Sequence, residues 1–379
     1  MTNETGQSMT MNRRRLLTLT ATGVSAAALG ALSRSTRAYA AETVRWVSPR
    51  GTVEVLDDYP YWVGKKFGYF GDIATTLEPG PSDATATVKL VDQKQADMGY
   101  PSPGVFSLAL EQGIPLVSVF EMGGSDVFDM AFRKGEKPKS IKELEGKTVL
   151  LGSAGWQSIS DPMLYAAGVD IKKIKYVEAG WPTWGTALKA GKGDSALSWE
   201  GLRAQWKGQG LDFDYILGKD YSKLPANSFV IRKADFDDAS KKKVYARYLQ
   251  GWAAGLEFGK QNPRAATQIV IEQFPGLASQ MTPTVATESM LELANVFGGR
   301  MDERKKWGEH LISSWQLFFD TGRKIGQITA DFKTEDVCKN DLVDEANAFD
   351  AAKVKADADG FALSADYKAV DVAAIKAAL

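Results

Sequence analysis

Between residues 44 and 232 the apolar positions alternate between two patterns. Short apolar runs at 44–47, 74–77, 96–100 and 115–121 predict buried strands. Amphipathic stretches separate them: 59–67, a helix capped at Ser82-Asp83 that reaches about Gln95, and one opened by Ser102-Pro103-Gly104 and closed at Gly113. Connections of that length suit parallel βαβ units. The alternation then starts again, with strands predicted at 127–133, 149–151, 175–178, 196–199 and 215–217 and helices at 141–144, 182–189 and 202–207. A strand at 228–232 returns toward the first set.

Two βαβ sets with a return strand imply two α/β lobes, each a mostly parallel sheet flanked by helices. Strands near 128–132 and 229–231 would cross between them. From Asp238 the period changes: Val244, Tyr248, Trp252 and Leu256 recur every four residues and form one apolar helix face. Asn262-Pro263, Thr282-Pro283 and Asp302-Glu303 open three further helices. The tail beyond Thr334, rich in Ala, Asp and Lys, predicts a solvated and loosely packed wrap. The expected organisation is a first lobe of 41–127 with 230–379, carrying the C-terminal helices, and a second lobe of 128–229.

One stretch offers chemistry. In T-V-L-L-G-S-A-G-W-Q-S-I-S-D-P, residues 148–162, the apolar run Val149-Leu150-Leu151 is broken by Gly152-Ser153-Ala154-Gly155. Ser158, Ser160 and Asp161 then offer helix caps, and Pro162 suits a first helical position. Strand, small-residue turn and helix start aim free N–H groups at one spot beyond the strand, which favours anionic ligands. The same pattern also describes an ordinary strand-to-helix turn.

The first forty residues read as an address rather than as part of the fold. Arg13-Arg14-Arg15-Leu16-Leu17 resembles a twin-arginine export signal, the span 16–32 is apolar but diluted, and Ala38-Tyr39-Ala40 is a small-x-small cleavage site. Cleavage after Ala40 would leave 339 residues with 41 basic and 46 acidic side chains, since the segment holds five of the 46 Lys and Arg and one of the 47 acids. A formal charge of −5 with no basic stripe argues against nucleic acid and anionic membrane as partners. Cys338 and His310 are the only residues of their kinds. Internal disulfides are therefore impossible, and zinc sites or Ser-His and Cys-His catalysis lack parts. His310 sits on the amphipathic stretch 307–319 and reads as a helix-face residue.

The motifs, taken in order, resemble those of the periplasmic substrate-binding proteins of ABC importers, in the nitrate/sulfonate/taurine group that also includes thiamine-pyrimidine binders. Phe67-Gly68-Tyr69-Phe70 is similar to the family's GYF after the first helix, Ala96-Asp97-Met98-Gly99 to its third strand, and Gln112-Gly113-Ile114-Pro115 to its QGxP turn. Residues 140–147, S-I-K-E-L-E-G-K, and the stretch from Ala187 through Asp194 to Trp199-Glu200 continue the match. Gly201 replaces the family's common Pro, Ser195 intervenes between Asp194 and Ala196, and Trp is unusually frequent. The resemblance implies a two-lobed periplasmic-binding-protein fold, type II-like, that closes around one small molecule by a hinge. It implies no enzyme activity, cofactor or metal, a periplasmic location, a monomer, and an inner-membrane ABC permease as partner.

Ligands of open α/β sheets bind beyond the carboxyl ends of the strands. That places Arg50, Tyr61, Trp62, Ser102 and Asp126 at the cleft from the first lobe, and Ser153, Gly155, Trp156, Trp181, Trp199 and Glu200 from the second. Backbone N–H groups with Arg50 suggest an organic anion, a sulfonate or aromatic carboxylate, and the tryptophans suggest its flat body. Glu200 would repel an anion unless it pairs with Arg50 or meets a ligand amine or hydroxyl. Two alternatives share the pattern: a sensory ligand-binding partner of a membrane receptor, and a pyrimidine-synthase-like enzyme. The lone Cys338 and His310 leave the enzyme short of the residues that the resemblance would require. Fusing residues 1–41 to a reporter should export it by the twin-arginine route, and replacing Arg13, Arg14 and Arg15 together with Lys should stop it. Export that survives the triple change would overturn this routing.

Overall fold

The computed structural model describes residues 42–81 and 84–379, so the expected export segment and the cap expected at Ser82-Asp83 lie outside the described residues. Ten strands form two five-stranded sheets. The first holds β1 (Thr43–Val47), β2 (Ala74–Glu78), β3 (Met98–Gly99) and β4 (Leu116–Glu121). The second holds β5 (Phe128–Arg133), β6 (Thr148–Leu151), β7 (Lys175–Glu178), β8 (Ser195–Trp199) and β9 (Phe213–Leu217). β10 (Ser228–Arg232) returns to the first sheet.

Both sheets share one order, β2-β1-β3-β10-β4 and β7-β6-β8-β5-β9. In each, the strand that has just crossed over lies between the third and fourth and runs antiparallel to its neighbours. The inner strands β6 and β8 are buried on both faces, hence their near-continuous apolar runs, whereas the edge strands β2 and β7 are partly exposed. Two segments, 122–127 and 218–227, connect the sheets. They are tied together: Asp126 accepts hydrogen bonds from Ser222 Oγ at 2.6 Å and from the Phe128 N–H at 3.0 Å.

The main core gathers around Trp252, whose ring lies 4.7 Å from Phe229, 5.2 Å from Trp46 and 5.8 Å from Tyr61. Trp252 belongs to the 23-residue helix Ala239–Gln261, whose apolar face follows the predicted four-residue period. That helix packs closely on the helix Tyr59–Phe67 because Gly255 lacks a side chain. A Cβ there would stand 2.1 Å from the Pro60 carbonyl oxygen.

Four expectations need correction. Asp302-Glu303 opens no helix, since residues 298–303 form turns ahead of the helix Ile312–Lys324. The helix Gln157–Ala166 starts before the expected caps, after a 3-10 turn at Ala154–Trp156, and Pro162 lies inside it. Ser158 and Ser160 instead donate back to the carbonyls of Gly155 and Trp156. Nor is the tail a loose wrap. Helices Val343–Ala346, Ala351–Asp359, Ala365–Lys368 and Val372–Ala378 bury Val343, Ala346, Val354, Ala358, Tyr367 and Ile375. Its polar composition hides about one apolar contact per turn, enough to seat it. Finally, His310 precedes the helix Ile312–Lys324 and is buried rather than on a helix face.

Trp252→Ala should cost about 3–5 kcal/mol of stability, the range for truncating a large buried aromatic. Urea unfolding followed by circular dichroism measures it. A loss below about 1 kcal/mol would mean that the cluster can collapse around the gap.

Candidate ligand site between the two sheets

Parallel strands of both sheets end at a common cleft. It encloses a cavity of about 110 Å³, room for several waters or one small organic molecule. The loop after β1 brings Pro49, Arg50 and Gly51, and the segment after β3 brings Tyr100 and Ser102. From the second sheet come Ser153, Trp156, Trp181 and Trp199. Val127, Phe128 and Asn227 line it from the crossing region, and Leu293 and Phe297 from the helix Pro283–Phe297.

The second sheet's wall is indole. Trp181 and Trp199 stack at 5.6 Å and 14°, and Trp156 stands edge-on to Trp199 at 5.9 Å and 85°. Trp184 backs this group, 1% exposed, with its indole N–H donating to the Leu197 carbonyl. Trp206 packs against Trp184 in turn. The wall is thus rigid, because each ring is held by another.

The first sheet's wall is charged. Arg50 donates to Asp58 Oδ1 at 2.5 Å and to Asp57 Oδ2 at 3.4 Å. Burial pulls the guanidinium's pKa down, but the two carboxylates more than reverse it and hold Arg50 protonated. Burial pushes both aspartates above their usual range, opposed by Arg50 and, at Asp57, by the Trp199 indole. Asp57 lines the cavity; Asp58 lies behind it, 1% exposed.

Six of the eleven residues singled out from sequence meet at this cavity: Arg50, Ser102, Ser153, Trp156, Trp181 and Trp199. Five do not line it. Tyr61 is buried in the first core with its hydroxyl on Thr75, because it faces inward from its helix. Trp62 packs on Phe274 at 5.0 Å and on Tyr61 at 5.0 Å, at the edge of the same core. Asp126 braces the crossings, its carboxyl pushed up to about 6 by burial. Gly155 forms the 3-10 turn and gives its carbonyl to Ser158.

Glu200 is fully buried and pairs with Arg203 at 2.6 Å and Lys219 at 3.2 Å, not with Arg50. Glu292 joins this cluster and accepts the N–H groups of Gly201 and Ala204. It thereby caps the helix Leu202–Gly208, whose own N-cap, Gly201, has no side chain to do so. Burial pushes Glu292 up to about 7 despite Arg203, and pushes Asp129, beside it, well above its usual range.

Asp57, Tyr100, Asn227, Leu293 and Phe297 were missed in sequence. Asp57 had a signal, standing seven residues after Arg50 at the start of the first helix. Leu293 and Phe297 had none, since they arrive from a helix far along the chain.

Two sheets of one topology, joined by two crossings around a cleft at their strand ends, define a two-lobed periplasmic-binding-protein fold. Residues 57–266, more than half of the chain, match the NMT1/THI5-like family, and the chain belongs to that family. The alkanesulfonate-binding protein SsuA from Xanthomonas axonopodis pv. citri, bound to MOPS, aligns with a TM-score of 0.59 at 11% identity, over 79% of this chain and 99% of its own. The nitrate-binding protein NrtA from Synechocystis PCC 6803 aligns with a TM-score of 0.59 at 14% identity, over 86% and 92%. The ligand-binding component of an ABC-type import system from Staphylococcus aureus, with zinc bound, aligns with a TM-score of 0.57 at 13% identity, over 80% and 99%. All three are described as binding proteins, one of them of an ABC-type import system. No curated protein matches the sequence significantly.

Ser118, His310 and Asn340 form a hydrogen-bonded row, with Ser118 Oγ 2.6 Å from Nε2 and Asn340 Oδ1 2.9 Å from Nδ1. Ser118 is wholly buried and His310 is 3% exposed, so the row is part of the packing rather than of the cleft. Burial holds the imidazole pKa down at about 4, assisted by Arg304 and opposed by Asn340, against 6.5 for a free histidine. The unfolded state therefore binds the extra proton between these values. His310's contribution is complete above 6.5 and is lost as pH falls toward 4, by roughly 3 kcal/mol. Glu121 and Glu292, pushed up to about 7 chiefly by burial, act in the opposite direction as pH falls from 7. The test is therefore a difference: the stability gap between wild type and His310→Gln should shrink by roughly that amount from pH 7 to pH 4. A constant gap would show that the imidazole is not held neutral.

Proposed function

We propose that the protein is the exported solute-binding component of an ABC-type import system, capturing a small organic molecule between its lobes and delivering it to an inner-membrane permease. The observation that carries this reading is the tryptophan-walled cavity at the strand ends of two lobes joined by only two short segments. The neighbours' described roles support it, as does the family. The lobe division at residues 128 and 229 makes the crossings 122–127 and 218–227 the hinge.

Stacked rings that exclude water favour a solute with a flat or apolar body. A bare inorganic ion would leave the indole wall unfilled. Two neighbours are described as alkanesulfonate-binding and nitrate-binding proteins, and Arg50 is the residue that would meet such an anion here. Its guanidinium is already paired with two carboxylates, so the cleft offers no unmatched positive charge among the described residues.

A thermal-shift screen of the exported chain against sulfonates, aromatic carboxylates, amines, nitrate and pyrimidines should find a stabilising solute. Saturation at a hundred times Kd contributes about 2.7 kcal/mol. With that solute, small-angle scattering should show the radius of gyration shrinking, and Trp199→Ala should weaken binding at least about tenfold, the equivalent of ~1.4 kcal/mol. An unchanged profile at saturation, or unchanged affinity in the variant, would overturn closure or the placement of the site respectively.

A further inference from the structure

The cleft carries an unbalanced charge, and this narrows what it holds. Arg50 is the single cation among the described residues lining the cavity. Against it stand two carboxylates, Asp58 at 2.5 Å and Asp57 at 3.4 Å, all three largely withdrawn from water. One guanidinium thus stands against two carboxylates, one more acidic side chain than basic. In a low-dielectric site such an excess acts more strongly than at the surface.

The two ion pairs are unequal. The short bond goes to Asp58, behind the wall, whose Oδ2 is buried without a hydrogen-bond partner. The long one goes to Asp57, the carboxylate that lines the cavity. Asp58 thus keeps the unsatisfied oxygen but lies out of reach, and Asp57, which lines the cavity, is the carboxylate a ligand can meet.

One helix N-terminus beside the cleft, which would favour an anion, has a carbonyl oxygen against it. The N-terminus of the helix Pro103–Glu111 is met by the Ser158 carbonyl, which lies where a Cβ on Gly104 would be only 2.3 Å away. Pro162 lacks the N–H that would otherwise bond that carbonyl within its own helix. The opposite wall consists of indole rings, whose faces attract positive charge, most strongly when water is excluded.

We propose that the cleft binds a small organic monocation, a protonated amine or quaternary ammonium, with its charge at Asp57 and its apolar body against Trp181 and Trp199. This rests on the solute-binding reading above and sets the chain apart from the neighbours described as alkanesulfonate-binding and nitrate-binding proteins.

Calorimetry of the exported chain at pH 7 with four probes of similar shape tests it: benzylammonium, benzyltrimethylammonium, benzyl alcohol and phenylmethanesulfonate. At least one cation should bind at least about tenfold more tightly than the alcohol and the sulfonate. Asp57→Asn should reduce that cation's affinity at least about tenfold and raise that of the sulfonate, a reversal that a merely loosened cleft would not produce. If the variant fails to fold by circular dichroism, the wild-type ranking decides alone. Tightest binding of the sulfonate or the alcohol, or binding of none of the four, overturns the monocation. The solute-binding reading falls separately, only if the broad thermal-shift panel also finds nothing.

Discussion

Each sheet is completed by a strand that has just left the other, and the rest of the architecture depends on this exchange. β10 sits between β3 and β4, and β5 between β8 and β9, each antiparallel to both neighbours. Neither core can close without chain arriving from the far side. The exchange also fixes where the two lobes meet. The parallel strands of both sheets run toward the crossings, so their carboxyl ends converge on one cleft, where open α/β sheets bind ligands. Asp126, at first sight a ligand contact, instead joins the two crossings through Ser222.

Charge is distributed around the cleft in two buried groups with different tasks. Arg50, Asp57 and Asp58 form the polar wall. Glu200, Asp129 and Glu292 surround Arg203 and Lys219 a short distance away. Buried ion pairs are weak evidence for stability, because desolvation offsets much of the Coulomb gain. Their role here is positional. Glu292 holds the N-terminus of the helix Leu202–Gly208, and the next residue, Leu293, lies so close to Gly201 that a Cβ there would be 2.6 Å from its side chain. Gly201 is at φ +86°, a conformation that suits glycine, where the family more often has proline. The departure therefore has a physical reason: a proline could neither adopt that φ nor donate the N–H to Glu292. The C-terminal helices thus serve as more than support, since Leu293 and Phe297 close the third side of the cavity.

What depends on neighbours along the chain was legible in the residue pattern. Periodicity located the strands to within a few residues, the return strand implied two lobes, and strand ends marked Arg50, Ser102, Ser153, Trp156, Trp181 and Trp199 for the cleft. These were legible because a residue at a parallel strand's carboxyl end has little choice of direction. Tertiary structure decided what depends on facing. Tyr61 and Trp62 are adjacent on one short helix, and Tyr61 is buried against Trp252 while Trp62 packs at the edge of the same core on Phe274, a placement made by the helix Ala239–Gln261 packing on it. Pairing of charges was also beyond the pattern: Arg50 took Asp57 and Asp58, and Glu200 took Arg203 and Lys219. A guanidinium reads the same in sequence whether free or neutralised. Only the fold, by burying it beside two carboxylates and leaving one of them at the cavity, set the charge that a ligand meets.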